Sequence, residues 1–334
     1  METFNDCCIF VPTCTLYKYV WDVFLALINK YWPDNPFEIY FVIDNNIDEE
    51  CQNLINKLKT DKIHFIVYEN NNIDNTYLNK FLFGLKIIMP KYKYVLIMCD
   101  DHFLEYNVTT NTILKCLDTL KNVSNDIICM FLTSGIFTKY LKKQPRKPIY
   151  VKCDQFPLNG DKKYTDILCP HCRKLLLYKY KDEFIKTNKQ IDVGSLNYIY
   201  NANELVSHDS YNKIKFNFAH RVDIGNGLWK TNKLIELLEN ICSNYEDKSP
   251  IGLDTNGPDI LRKLNYYTLT PEDKNVILIP QRCGSTAGIA RGKYHQWTID
   301  LLNSNNIKYT IFTDNYVYDI NKIELSKHNY ARLK

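Results

Sequence analysis

Apolar positions in the first third of the chain follow two alternating rhythms. Cys8 to Val11, Phe37 to Ile43, Ile63 to Tyr68 and Tyr94 to Met98 are short, nearly continuous apolar runs, the pattern of strands buried on both faces. Between them, Tyr19 to Tyr31, Glu49 to Leu58 and Asn75 to Ile88 repeat apolar residues at helical spacing, and Thr110 to Leu120 does the same before a further apolar run, Ile127 to Leu132. Proline punctuates the pattern: Pro12 stops the first run, Pro33 and Pro36 end the first helix, and Pro90 follows the third. Strands alternating with helices predict an α/β fold, a Rossmann-like and mostly parallel sheet flanked by helices.

The rhythm weakens after Leu132. Residues 139–192 are rich in Lys, Tyr and Pro, with only strand-like pieces such as Leu175 to Tyr178, and read as an irregular insertion. Order resumes with Lys213 to Phe218, then a helix over Thr231 to Ile241, a strand over Val276 to Ile279 and a last helix near His295 to Asn303. No internal repeat and no flexible linker is visible, so the expectation is one domain over residues 1–334: a first half over 1–135, the insertion over 136–212, and a second half with a closing segment over 213–334.

Composition narrows the classes. A chain of 334 residues with 45% hydrophobic content can bury a large core. Its formal net charge is only +4, with Lys and Arg interspersed among Asp and Glu, so nucleic acid is not the expected partner. No apolar run approaches the roughly 20 residues that span a bilayer, and the start, Met1-Glu2-Thr3 with Asp6, lacks a basic leader region. The expected setting is cytoplasmic, without an integral membrane segment, and there the 12 cysteines are expected to stay thiols. Abundant Asn, Ile, Lys and Tyr, at the expense of Ala and Gly, resemble the coding bias of an AT-rich genome such as that of a giant virus or a protist, for which host cytoplasm or the virion would be the location.

Candidate chemistry centres on the fourth apolar run, which leads straight into Cys99-Asp100-Asp101-His102. In open parallel sheets, ligands bind at the carboxyl ends of strands. Adjacent carboxylates in a partly buried place repel unless a cation neutralises them, and hard Mg²⁺ or Mn²⁺ bridges carboxylate to phosphate oxygens. Asp100 and Asp101 are therefore candidate metal ligands and His102 a secondary one; the plainer reading of the pair is a strand end and cap. The segment Tyr94 to Leu104, YVLIMCDDHFL, resembles the stretch of GT-A glycosyltransferases that ends a central strand with the aspartate-containing metal motif. Trp21-Asp22-Val23-Phe24 and Tyr31-Trp32-Pro33-Asp34 resemble the opening of a bacterial family of surface-polysaccharide glycosyltransferases. Gly227-Leu228-Trp229-Lys230, Asn244-Tyr245-Glu246-Asp247 and Gly288 to Tyr294 recur in the same order. One departure is Cys99, which stands where the common Asp-x-Asp spelling has its first acid.

The resemblance implies a GT-A fold and a metal-assisted transferase that moves a sugar from a nucleotide-sugar donor, a UDP-sugar for preference, to a glycan or protein acceptor. It also implies that Pro12, Thr13 and Cys14 line the nucleotide-base pocket and that Asp44 meets base or ribose, although Asp44-Asn45-Asn46 is equally a turn. An inverting transferase needs a carboxylate base, for which Glu246 and Asp247 are candidates beside the alternative of an exposed acidic turn. Arg291 and Lys293 flank Gly292 after what reads as a mobile loop, Gln281 to Ser285, and suit a diphosphate. Trp229 suits either a sugar-stacking or a core position. Cys169-Pro170-His171-Cys172 has the spacing of a zinc knuckle, with Cys153 and His208 or His220 as completing ligands for a structural Zn²⁺. Competing classes are a nucleotidyltransferase, which also sets carboxylates at strand ends, and a catalytically silent carbohydrate-binding or scaffold protein.

Overall fold

The computed structural model describes residues 4–69, 76–132, 225–271, 280–282 and 296–308, together with Val222, Tyr294 and the strand segments 189–193, 196–200, 205–206 and 215–216. Alternation in the first strand, β1 (Cys7–Pro12), shows how the molecule is layered. Its residues are all buried, yet Ile9 and Val11 belong to one apolar cluster while Cys8 and Phe10 belong to another. Successive side chains of a strand point to opposite faces, so a strand apolar at every position needs cover on both.

Helices provide that cover. On one face pack α1 (Lys18–Tyr31), α2 (Glu49–Leu58), α4 (Thr110–Asn122) and the last described helix, α7 (Gln296–Ser304). On the other pack α3 (Tyr77–Ile88), α5 (Thr231–Asn244) and α6 (Pro250–Lys263). Polar side chains start three of these helices. Asp48 accepts from Cys51 N at 2.7 Å before α2, Thr76 from Asn79 N at 3.4 Å before α3, and Ser249 from Gly252 N at 3.1 Å before α6. Each satisfies a backbone donor that the helix itself cannot.

Seven strands form the body of the sheet in the order β3 (Ile63–Tyr68), β2 (Ile39–Asp44), β1, β4 (Tyr94–Ile97), β11 (Gly227–Lys230), β6 (Ile127–Phe131) and β12 (Tyr267–Pro271). Six run the same way; β11 alone runs against its neighbours, pairing antiparallel with both β4 and β6. An antiparallel hairpin, β7 (Lys189–Val193) with β8 (Leu196–Tyr200), continues the sheet beyond β12. Two short antiparallel pairs stand apart: β9 (Leu205–Val206) with β10 (Lys215–Phe216), and β5 (His102–Leu104) with β13 (Pro280–Arg282).

The mostly parallel, helix-covered sheet expected from the alternation is present. Helix α2 and strand β3 keep their expected bounds. Several elements differ from expectation, and three show why. Helix α6 forms although its sequence carries Gly252, Gly257 and Pro258 in its span. Leu253, Ile260 and Leu261 bury in the apolar cluster shared with α3 and α5, and the two glycines leave room where a side chain would meet the Asp247 backbone or Val222. Tertiary packing outweighs poor propensity. Gln281 and Arg282, read from sequence as loop, lie in β13, because β5 offers a pairing edge. Strand β11, too short to read alone, is built by ladders on both of its sides. The strand expected over Val276 to Ile279 and the strand-like piece Leu175 to Tyr178 lie outside the described residues.

Candidate active site at the carboxyl edge

Three parallel strands deliver their carboxyl ends to one edge: β1 ends at Pro12, β2 at Asp44 and β4 at Ile97, followed by Met98, Cys99, Asp100 and Asp101. Because β11 runs the opposite way, its start lies at this same edge, with Gly227 opposite Ile97 and Phe131. The residue before it, Asn226, donates its backbone N–H to Ile97 O at 2.7 Å and has a positive φ of 57°. Its side-chain oxygen is buried without a hydrogen-bond partner among the described residues. Sequence reading passed over Asn226; an Asn-Gly pair before a short apolar run is the one signal that marks it.

The two aspartates face different tasks. Asp100, 3% exposed, accepts a hydrogen bond from the Thr13 hydroxyl, and the Trp21 indole N–H lies 3.2 Å from the same carboxylate oxygen and 3.0 Å from Thr13 Oγ1. Burial pushes the Asp100 carboxyl up to about 7, the charge of Asp101 adds to this, and Thr13, Trp21 and Lys80 oppose it. Asp101 instead joins Cys99 and His102: one ligand-type atom from each lies within 4.8 Å of the others. The imidazole Nε2 is 3.8 Å from Asp101 Oδ1. A tight turn brings the trio together, closed by His102 N donating to Cys99 O at 3.1 Å, and β5 then holds His102 in register with Arg282 of β13. Donors of this kind fit a divalent cation, which the carboxylate charges would also attract.

A second cluster braces the loop after β1. Buried Lys80, on α3, donates its ammonium to Thr13 O and lies 4.0 Å from Asp44 Oδ2. Asp44 accepts from Thr15 N at 3.1 Å, Thr15 Oγ1 at 2.7 Å and Asn46 N at 3.2 Å. Both Asp44 oxygens are thus engaged by the loops on either side of it. Pro12 and Thr13 lie between this cluster and Asp100, and burial pushes the neighbouring Cys14 thiol up to about 12, opposed chiefly by Lys80. It is a free thiol.

Helices from the other face close in on the same edge. Leu78 N, at the start of α3, donates to Lys248 O at 3.1 Å, which seats the loop carrying Glu246 and Asp247 against that helix start. Both acids are exposed, and Asp247 Oδ1 accepts from Ser249 N at 3.0 Å, shaping the turn into α6. Tyr77, the first residue of α3, has its hydroxyl pushed well up by burial and by the nearby charges of Cys99, Asp254, Asp100 and Asp101. Asp254 of α6, unremarked in the sequence, therefore belongs to the surroundings of the aspartate pair. Trp229 does not: it is 1% exposed and packs edge-on against Phe131 with ring centres 5.9 Å apart, a core residue. Arg291, Lys293 and the Cys169/Cys172 pair lie outside the described residues.

The carboxyl edge of a mostly parallel sheet is where open α/β proteins bind their ligands. Neither a family model nor a curated protein matches the sequence. Among solved structures, a galactosyltransferase, LgtC, in complex with donor and acceptor sugar analogues is similar at 14% identity and a TM-score of 0.26, covering 42% of this chain and 49% of that one. A 4-diphosphocytidyl-2C-methyl-D-erythritol synthase is similar at 8% identity and a TM-score of 0.38 over 83% of this chain and 94% of that one. A protein assigned as a nucleotide-diphospho-sugar transferase, from Desulfovibrio desulfuricans, is similar at 10% identity and a TM-score of 0.27 over 39% and 59%. The chain thus spans about half the length of the galactosyltransferase it matches. Among the described residues no helix is long and apolar enough to cross a membrane.

Proposed function

We propose that this protein is a metal-dependent glycosyltransferase that moves a sugar from a nucleotide-sugar donor to a glycan or protein acceptor. The observation that carries the reading is the division of labour at the end of β4. Asp100 ties the loop after β1 to the strand through Thr13, while Asp101 joins Cys99 and His102 in a cation-ready cluster. Donor loop and metal cluster are thereby one mechanical unit.

In this reading Pro12 and Thr13 line the nucleotide pocket, and Asp44 shapes its floor through Thr15. Asp101 and His102, with Cys99, hold the cation, which when bound neutralises negative charge on the leaving diphosphate. Arg291 and Lys293 add cationic contacts to the diphosphate from the second half of the chain. Glu246 is the better placed of the two candidate bases, since Asp247 already accepts a backbone hydrogen bond in its turn. Residues 1–135 form the donor half of one domain and residues 213–334 the acceptor half.

The test is thermal stabilisation of the full chain by a panel of nucleotide sugars, with a divalent cation present or chelated. A cation-dependent rise in Tm with one donor, absent in Asp101→Asn at unchanged starting Tm, is the expected result. No shift with any nucleotide sugar would sink the reading; pyrophosphate release from a nucleoside triphosphate would replace it with nucleotidyl transfer.

A further inference from the structure

We infer that the cation site at the end of β4 is built for a borderline, thiolate-accepting ion of the Zn²⁺ class, held by Cys99, Asp101 and His102, and that Asp100 is not among its ligands. The inference rests on the proposed function for the purpose of the ion, but not for its coordination.

Two observations point the same way. Asp100 is turned inward: its Oδ2 receives the Thr13 hydroxyl and faces the Trp21 indole N–H, so its charge is spent on joining β4, the loop after β1, and α1. A metal on that oxygen would displace the Thr13 hydroxyl and break the tie between the end of β4 and the loop after β1. Cys99, by contrast, shares with Asp101 and His102 the single group of potential ligand atoms found among the described residues.

Chemistry of that donor set selects the ion. One sulfur, one imidazole nitrogen and one carboxylate oxygen form a mixed set that Mg²⁺, which demands oxygen ligands in octahedral array, matches poorly. Zn²⁺ accepts all three, and three protein ligands with a fourth position open is the usual composition of its catalytic sites. The edges of a tetrahedron built from Zn–S and Zn–N bonds are about 3.5 Å, and the ligand atoms here lie within 4.8 Å of one another, so the cluster needs to contract by no more than about 1 Å. Side-chain rotation can supply this, because Cys99 and His102 are both only half-buried. Their backbones are already set, Cys99 and His102 by the turn between them and His102 also by the β5–β13 ladder.

Co²⁺ serves as the probe, since a cobalt–thiolate bond adds a charge-transfer absorption that oxygen or nitrogen ligands do not. The full chain carries Cys169→Ser and Cys172→Ser, which removes the Cys-x-x-Cys thiol pair spaced for metal, and is stripped with a chelator before titration. One equivalent of Co²⁺ should produce the thiolate band. Zn²⁺ should abolish it stoichiometrically, while Mn²⁺ or Mg²⁺ at roughly hundredfold excess should not. Cys99→Ser should lose the band and weaken Co²⁺ by more than the roughly 10–100-fold that loss of an outer-shell partner costs. Asp101→Asn should weaken binding similarly, Asp100→Asn should keep the band, and Cys99→Asp should shift the preference toward Mn²⁺. A band that survives Cys99→Ser overturns the inference. So does Mn²⁺ that displaces Zn²⁺ from the unmutated site, a measurement that depends on no folded variant. A Zn²⁺–thiolate site without nucleotide-sugar binding would retain this inference and remove the transferase reading. Donor binding with Mn²⁺ and no thiolate band would do the reverse.

Discussion

Asn226 shows how much a single position can hold at this edge. Its φ of 57° lies in the left-handed region, its N–H reaches Ile97 O and its carbonyl accepts from Leu132 N at 2.9 Å, so it links β4 to β6 just before β11 begins. Asn and Gly tolerate that backbone; a β-branched residue does not. Asn226→Gly should therefore leave thermal stability within about 0.5 kcal/mol, while Asn226→Val should cost about 1–3 kcal/mol, read by chemical denaturation. Equal losses in both would show that the side chain, and not the backbone, is what the site needs. At this scale the sequence already showed the Asp100-Asp101 pair and its neighbour His102. It concealed that Asp100 points to Thr13 and Trp21, because partners 87 and 79 residues away leave no trace in local pattern.

Elements meet as closely as single residues do. Gly84 of α3 lies over β1 and β2 so tightly that a Cβ there would come within 2.5 Å of Val42 Cγ2 and 2.9 Å of Phe10 Cζ. In an open helix Gly→Ala gains up to about 1 kcal/mol. Here overlap with a stiff, β-branched valine wins, and Gly84→Ala should destabilise by about 1–3 kcal/mol in urea unfolding. A stabilised variant would mean that α3 sits farther from the sheet. At the opposite end of the edge strands, Glu38 binds Lys91 at 2.6 Å, Tyr40 at 2.8 Å and His64 at 2.8 Å. Burial raises its carboxyl, but hydrogen bonds from Lys91, Tyr40 and Tyr92 outweigh this and hold it at about 2, below the ordinary 4.5. A depressed carboxylate stabilises the fold above its unfolded value and loses that contribution as acid protonates it. Stability should thus fall from about pH 4.5 toward pH 2, and Glu38→Gln should flatten that part of the profile. At neutral pH the same variant should cost about 1 kcal/mol, a figure kept low by solvent screening. An unchanged acid slope would place the titration elsewhere. Element identities in this half were legible because each strand and helix has its own period. Helix α6 and strand β11 were not, since each exists through partners far away in sequence.

Across the whole molecule, two apolar clusters sandwich one sheet, and β1 and β4 lie between neighbours on both sides while β3 lies at an edge. Backbone amides of β1, β4 and β11 should exchange with deuterium only through global unfolding, and those of β3 and of the short β5–β13 pair at lower free energy. Comparable protection throughout would imply that the edge strands are covered. Local pattern was enough to read the alternating α/β order of the first half and the position of an acidic pair at a strand end. These follow from local periodicity and composition, which need no knowledge of distant residues. Long-range packing, by contrast, sets β11 against the sheet and brings Asn226 to the acidic edge. It also decided that Trp229 is core, that α6 survives its proline, and that Asp101 is grouped with Cys99 and His102 while Asp100 braces a loop. Each depends on which surfaces remain to be buried and which donors remain to be satisfied once the chain has closed on itself, and such balances are set by contacts between residues that local pattern does not connect.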